Sequence, residues 1–129
     1  SKLLSHYYII QLGDKNEPKF KDVTSYAGKL SMRESAAILS LTDHFIGPDS
    51  LLMHIAKGLD IPSTIIFGGS RPVGCFGYEQ NDNLSTTPEC SPCWIHDGYN
   101  ECQHDLTCLN QISVSQVLKS FNSNIFINL

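Results

Sequence analysis

Asp49, Ser50 and His54 are the residues of this 129-residue chain whose types and spacing point most directly to chemistry. They stand where a short apolar run, His44-Phe45-Ile46-Gly47, is halted by Gly47-Pro48 and a helical pattern of Leu52, Ile55, Ala56 and Leu59 begins. A strand-to-helix turn of this kind aims backbone N–H groups and the positive end of the helix dipole at the crevice beyond it, and a diphosphate suits that field. His54 follows Ser50 by about one helical turn, so its imidazole can reach the same face and add a hydrogen-bond donor or, when protonated, a positive charge. Asp49 could instead hold sugar hydroxyls. As ordinary structure, Asp49 and Ser50 would only cap the helix, a role worth about 1 kcal/mol that calls for no ligand.

The second cluster is sulfur. Of five cysteines, Cys90, Cys93, Cys102 and Cys108 crowd into nineteen positions while Cys75 stands apart. Four soft ligands suffice for a structural zinc or iron ion in tetrahedral geometry, and Cys90-x-x-Cys93 can chelate one ion. Cys102 and Cys108 are spaced loosely for zinc, and His96 or His104 could replace a thiolate. Two other fates stay open: reduced thiols packed as small hydrophobes, and disulfides formed only after purification.

The elements that must position these residues follow from periodicity and punctuation. Ser1–Ser5 reads as the last turn of a helix running into a strand-like Tyr7-Tyr8-Ile9-Ile10 with no start signal, so the chain is expected to begin within a unit. Gly13 to Asp22 is polar and breaker-rich, a loop; Val23 to Ala27 suits a short second strand. Ser31-Met32-Arg33-Glu34 has the form of a capping box and predicts a helix over 32–41. A buried strand over 44–47, a helix over 51–59 and a strand over 63–67 halted by Gly68-Gly69 come next. Ser113-Val114-Ser115-Gln116 has a second capping-box form before a closing helix marked by Val114, Val117, Leu118 and Phe121, and the tail from Asn122 is ambiguous. Alternating strands and helices predict an α/β fold with a mostly parallel sheet, whose ligands bind at the carboxyl ends of the strands. Between Ser70 and Leu109 the periodicity vanishes. A structureless stretch of that length is uncommon in a compact domain unless something other than a core pins it, and the cysteines are the residues able to do so.

Composition narrows the function. With 41% hydrophobic residues, 17% charged residues and a formal net charge of −4, one domain of this length can bury a core. The evenly spread Lys and Arg form no basic stripe, which argues against nucleic acid as a partner. No apolar run approaches the ~20 residues needed to cross a bilayer and no signal pattern opens the chain, so a cytoplasmic location is expected.

Lys29-Leu30-Ser31, Glu34-Ser35-Ala36-Ala37, Phe45 to Ser50, Met53-His54-Ile55-Ala56, Leu59, Ile61-Pro62 and Ile66-Phe67-Gly68 together resemble glycosyltransferase family 9, which contains the ADP-heptose:lipopolysaccharide heptosyltransferases. The resemblance runs from about Tyr8 to Leu118, and its most specific piece is Gly-x-Asp-Ser-x-x-x-His-x-Ala, Gly47 to Ala56. It implies a Rossmann-like domain that forms the C-terminal half of a GT-B glycosyltransferase, with residues 1–129 a single truncated sugar-nucleotide-binding domain carrying a Cys-rich loop at about 88–109. By the same resemblance His54 is the catalytic group that stabilises the leaving diphosphate, and Asp49, Ser50 and Leu51 contact the donor. Glu17, four residues past Gly13, matches the carboxylate that holds the ribose hydroxyls, and Leu30 matches the contact to the nucleobase. The chain departs from the family at Leu51, where glycine is usual and the backbone approaches the phosphate. It also has no counterpart of the donor domain's first strand, with its phosphate-contacting lysine, or of the acceptor domain with its catalytic carboxylate.

The expected activity is therefore inverting transfer of heptose, from ADP-heptose or a similar nucleotide sugar, to a lipopolysaccharide-core-type acceptor. A missing N-terminal acceptor domain and a glycolipid at the membrane surface are the implied partners. The location would be cytoplasmic, peripheral to the inner membrane, and this chain alone would be inactive. No cofactor is required for catalysis; a structural zinc or iron is an accessory expectation, and relatives carry a similar Cys-x-x-Cys-Trp element, some holding iron with four cysteines. Two other functions compete. A sugar-nucleotide epimerase would share the fold and the polar turn, and a non-catalytic assembly module would have Leu51 across the donor site and a metal held by the cysteines.

Overall fold

The computed structural model describes residues 7–95 and 101–125. The expected helical turn over residues 1–5 lies outside them. The chain divides into two compact units, 1–39 and 40–129.

In the first unit β1 (Ile10–Gln11) pairs in parallel with β2 (Thr24–Ser25), and α1 (Met32–Leu39) follows. The ladder continues past both strand ends: the Tyr26 amide donates to the Gln11 carbonyl at 2.9 Å and the Gly28 amide to the Gly13 carbonyl at 2.9 Å. The capping box forms as expected. The Ser31 amide donates to Glu34 Oε2 at 2.8 Å, and the Glu34 amide donates back to Ser31 Oγ at 3.3 Å. Those two bonds occupy N-terminal donors that the helix itself cannot pair, and they fix where α1 begins.

In the second unit β3 (Phe45–Pro48), β4 (Ser63–Ile66) and β5 (Asp82–Leu84) form a three-stranded sheet in that order, every pair parallel. Helix α2 (Leu51–Gly58) connects β3 to β4. A short 3-10 turn over Val73–Cys75 lies in the connection to β5, and α3 (Thr107–Asn110) and α4 (Val114–Ile125) close the unit. Central β4 is buried from Ser63 to Ile65 and half-buried at Ile66, with Thr64 and Ile65 wholly inaccessible. Successive strand residues face opposite sides of a sheet. Ile65 packs with Met53 of α2 and Phe67, whereas Thr64 Oγ1 lies 2.7 Å from Ser120 Oγ of α4. The two helices therefore cover opposite faces of the sheet.

Gly47 matters to this packing. A side chain there would meet the Phe45 ring, with Cε1 at 3.0 Å, so glycine lets that ring lie across its own strand and pack on Met53, Ile65 and Phe67. Strand β5 departs from what its sequence predicts, since Asn81-Asp82-Asn83 has the polar character of a loop while Asp82–Leu84 pairs with β4. Its polar side chains find partners in the fold: Asp82 Oδ2 accepts from the distant Ser120 Oγ at 2.8 Å, and Asn83 Nδ2 donates to the nearby Tyr78 carbonyl at 2.8 Å, while Asn83 Oδ1 is buried with no partner among the described residues. Among the described residues no helix is long and apolar enough to cross a membrane.

Candidate functional site

The carboxyl end of β3 delivers Asp49 and Ser50 directly to the start of α2. Ser50 is the N-cap by position, with an extended backbone of φ −156° and ψ 172°, yet its hydroxyl makes no capping bond. The plain capping role considered for this serine is thus not the one it performs here. Ser113 shows the contrast: its hydroxyl accepts from the Gln116 amide at 3.3 Å, and its own amide donates to Gln116 Oε1 at 2.7 Å. Asp49 is exposed and Ser50 half-buried. Leu51, the first helical residue, is 51% exposed, so its side chain stands in solvent at the place where a close backbone approach would need glycine.

His54 is exposed on α2 next to the wholly buried Met53. Ser50 and His54 are four residues apart, which places them on one helical face. The imidazole is anchored at one nitrogen, Nδ1 lying 2.8 Å from the Tyr78 hydroxyl with the two rings edge to face at 5.7 Å. Nothing in the sequence marked Tyr78, which sits in the unpatterned stretch and reaches His54 only through the fold.

The carboxyl ends of the first unit's strands carry Glu17 and Leu30. Glu17 is exposed, its amide donating to the Asp14 carbonyl at 3.1 Å, and its Cγ is 2.9 Å from where a Cβ on Gly13 would stand. The glutamate stem thus folds over the glycine two residues past β1, and the residue as a whole stays exposed. Leu30 is half-buried and immediately precedes the capping Ser31.

The four clustered cysteines are not gathered around one point. All five thiols are free, Cys75 and Cys93 exposed and Cys90, Cys102 and Cys108 half-buried. Among the described residues no group of three or more His, Cys, Asp or Glu side chains is placed to hold an ion. As placed, these side chains do not form a tetrahedral site for zinc or iron. His96 lies outside the described residues. Hydrogen bonds pin the segment instead. The Cys93 and Trp94 amides donate to the Gly69 and Ser70 carbonyls at 3.1 and 2.8 Å, and Thr86 Oγ1 donates to the Cys108 carbonyl at 2.7 Å. Gly69 permits the approach, since a Cβ there would lie 2.9 Å from Cys108 Cβ.

Parallel strands, helices on both faces of the larger sheet, and polar side chains at its carboxyl edge define a Rossmann-like α/β protein. The family model for glycosyltransferase family 9 (heptosyltransferase) matches residues 13–104, and the chain belongs to that family. The match takes in Glu17, Leu30, the Asp49–Leu51 turn, His54 and three of the clustered cysteines, with Cys108 beyond its end. Comparison with curated proteins and with solved structures gives no match.

Proposed function

We propose that this chain is the nucleotide-sugar-binding, C-terminal part of an inverting GT-B glycosyltransferase, taking ADP-heptose or a similar donor to a lipopolysaccharide-core-type acceptor at the cytoplasmic face of a membrane. The observation that carries the reading is the uncapped Asp49-Ser50 turn at the carboxyl end of β3, with His54 on the same helical face as Ser50. In that role the opening turn of α2 faces the diphosphate, and its amides and dipole favour the negative charge. His54 donates a hydrogen bond to the leaving phosphate. Asp49 holds sugar hydroxyls, Glu17 the ribose and Leu30 the base.

During transfer an acceptor hydroxyl attacks the anomeric carbon as the bond to the diphosphate oxygen breaks. The electron pair leaves with that oxygen, and the acceptor's proton goes to a base supplied by the acceptor domain. Stabilising charge that develops only in the transition state raises kcat more than it lowers KM.

Calorimetric titration of the chain with ADP and UDP tests the binding role. Saturable ADP binding that weakens in His54→Ala and Asp49→Ala supports it, and no binding of either nucleotide overturns it. The exposed Leu51 favours one competitor, a non-catalytic assembly module; restoration of nucleotide binding by Leu51→Gly in a chain that otherwise binds none would mark that case.

A further inference from the structure

We propose that Tyr78 is a positioning residue that makes His54 a hydrogen-bond donor at Nε2 and withholds it from acting as a base. The inference deepens the donor-site reading of His54 and rests on it for its catalytic meaning, but the contact that carries it is independent of any ligand. The Tyr78 hydroxyl lies 2.8 Å from Nδ1, and its ring meets the imidazole edge to face at an interplanar angle of 87°. Two contacts of different direction hold one ring, so the hydrogen bond fixes the nitrogen and the ring contact fixes the plane.

Tyr78 is itself well held. Its ring packs against the buried Met53, Ile65 and Phe67. Its carbonyl accepts from Asn83 Nδ2 of β5 at 2.8 Å and from the Asn81 amide at 3.1 Å. His54 by contrast projects from an exposed helix face, where an imidazole with no partner would sample several rotamers and both tautomers.

The chemistry of the partner decides the role. A carboxylate at Nδ1 only accepts, so it would force the hydrogen onto Nδ1 and leave Nε2 with a lone pair, the arrangement of a general base. A phenol both donates and accepts. Its O–H is a strong donor and its ring-conjugated oxygen a weak acceptor, so facing neutral imidazole the favoured arrangement is donation to the basic Nδ1, which places the ring hydrogen on Nε2; facing imidazolium it accepts, and Nε2 keeps its hydrogen. Nε2 is therefore a donor in either protonation state. That is the property wanted beside an anionic leaving group, and the opposite of what deprotonating an acceptor hydroxyl would need.

Nitrogen-15 NMR of the histidine side chains in the full chain tests this, with His54 assigned by its loss in His54→Ala. At pH 8 the wild-type chain should show pyrrole-type Nε2 and pyridine-type Nδ1 at His54. Tyr78→Phe keeps the packed ring and removes only the hydroxyl, so it should give averaged shifts of mixed tautomers and weaken ADP binding about two- to tenfold, the worth of one hydrogen bond. A wild-type Nδ1–H tautomer, or a spectrum unchanged by Tyr78→Phe, overturns the proposal. ADP separates the two levels: the expected tautomer with no ADP-induced shift at His54 upholds the tyrosine's control of the ring and sinks the donor-site reading alone.

Discussion

His44, at the entry to β3, carries its consequences in one ring. Its Nε2 lies 3.0 Å from Thr64 Oγ1, which meets Ser120 Oγ, which donates to Asp82 Oδ2. With Asp82 accepting, the chain of bonds runs from a neutral His44 Nε2–H to the carboxylate, leaving Nδ1 buried with no partner. Burial holds the imidazole pKa below its ordinary value, and the Asp82 charge opposes that only in part. The group titrates lower in the folded state, so the unfolded chain takes up the proton first. Stability contributed by neutral His44 is thus full above about pH 6.5, the ordinary imidazole value, and declines as pH falls below it towards the folded pKa. Thermal melts from pH 8 to pH 5 should show this decline in the wild type and lose that component in His44→Gln. Gly47 makes a steric prediction of the same scale. Gly47→Ala would press a methyl against the core-packed Phe45 ring and should cost about 1–3 kcal/mol in chemical denaturation, whereas Gly58→Ala, with open space at its Cβ, should not destabilise. The thiols can be counted directly. Titration of the reduced, native chain with a thiol reagent should show Cys75 and Cys93 reacting first and the three half-buried cysteines later. Protection of Cys90, Cys93, Cys102 and Cys108 that a chelator releases would instead reveal the ion their spacing suggests.

Among the elements, helix starts divide into two kinds. Helices α1 and α4 open on reciprocal capping boxes whose bonds are local and need no ligand. Helix α2 opens on Ser50 with no side-chain cap, at the edge where parallel sheets place their ligands. Ser31→Ala should therefore destabilise α1 by about 1 kcal/mol, read by thermal denaturation, while Ser50→Ala should change stability little and nucleotide affinity more. The Ser31 amide and hydroxyl also hold the Glu34 carboxyl below its usual range. A carboxyl lowered on folding adds stability above its unfolded value and loses it as pH falls, so the wild type should lose this contribution in acid and Ser31→Ala should show less of that loss.

At the scale of the whole chain, the larger parallel sheet presents Asp49 and Ser50, which the family resemblance singles out, at the carboxyl end of β3. If those residues bind a nucleotide, mass action stabilises the folded state by about 2.7 kcal/mol at one hundred times the dissociation constant. ADP at that excess should raise the melting temperature of the wild type, and His54→Ala should need more ADP for the same rise. An unchanged melting temperature at millimolar ADP would count against the nucleotide site.

Local signals carried much of this protein. Ser31 with Glu34 and Ser113 with Gln116 are spaced by helical geometry alone, so both helix starts were legible, and the Gly-x-Asp-Ser turn with His54 four residues on shares one face whatever surrounds it. The α/β order followed because short apolar runs punctuated by glycine and proline leave few topologies. What the sequence could not express were partnerships closed by tertiary contact. Strand β5 is polar because Ser120, thirty-eight residues away, satisfies Asp82, so its pattern mimics a loop. The hydroxyl that decides what His54 can do comes from Tyr78, twenty-four residues on and beyond β4, in a stretch with no periodicity. The cysteines show the same limit from the other side. Their spacing suggests convergence, but where sulfur atoms stand depends on backbone paths, and here the amides of Cys93 and Trp94 fasten that path to Gly69 and Ser70 without bringing three metal ligands together among the described residues. Residue type and local spacing fixed the helix starts and the strand-to-helix turn because those depend on neighbours in the chain. Tautomer, β5 and the cysteine path depend on neighbours in space, and only the fold selects those.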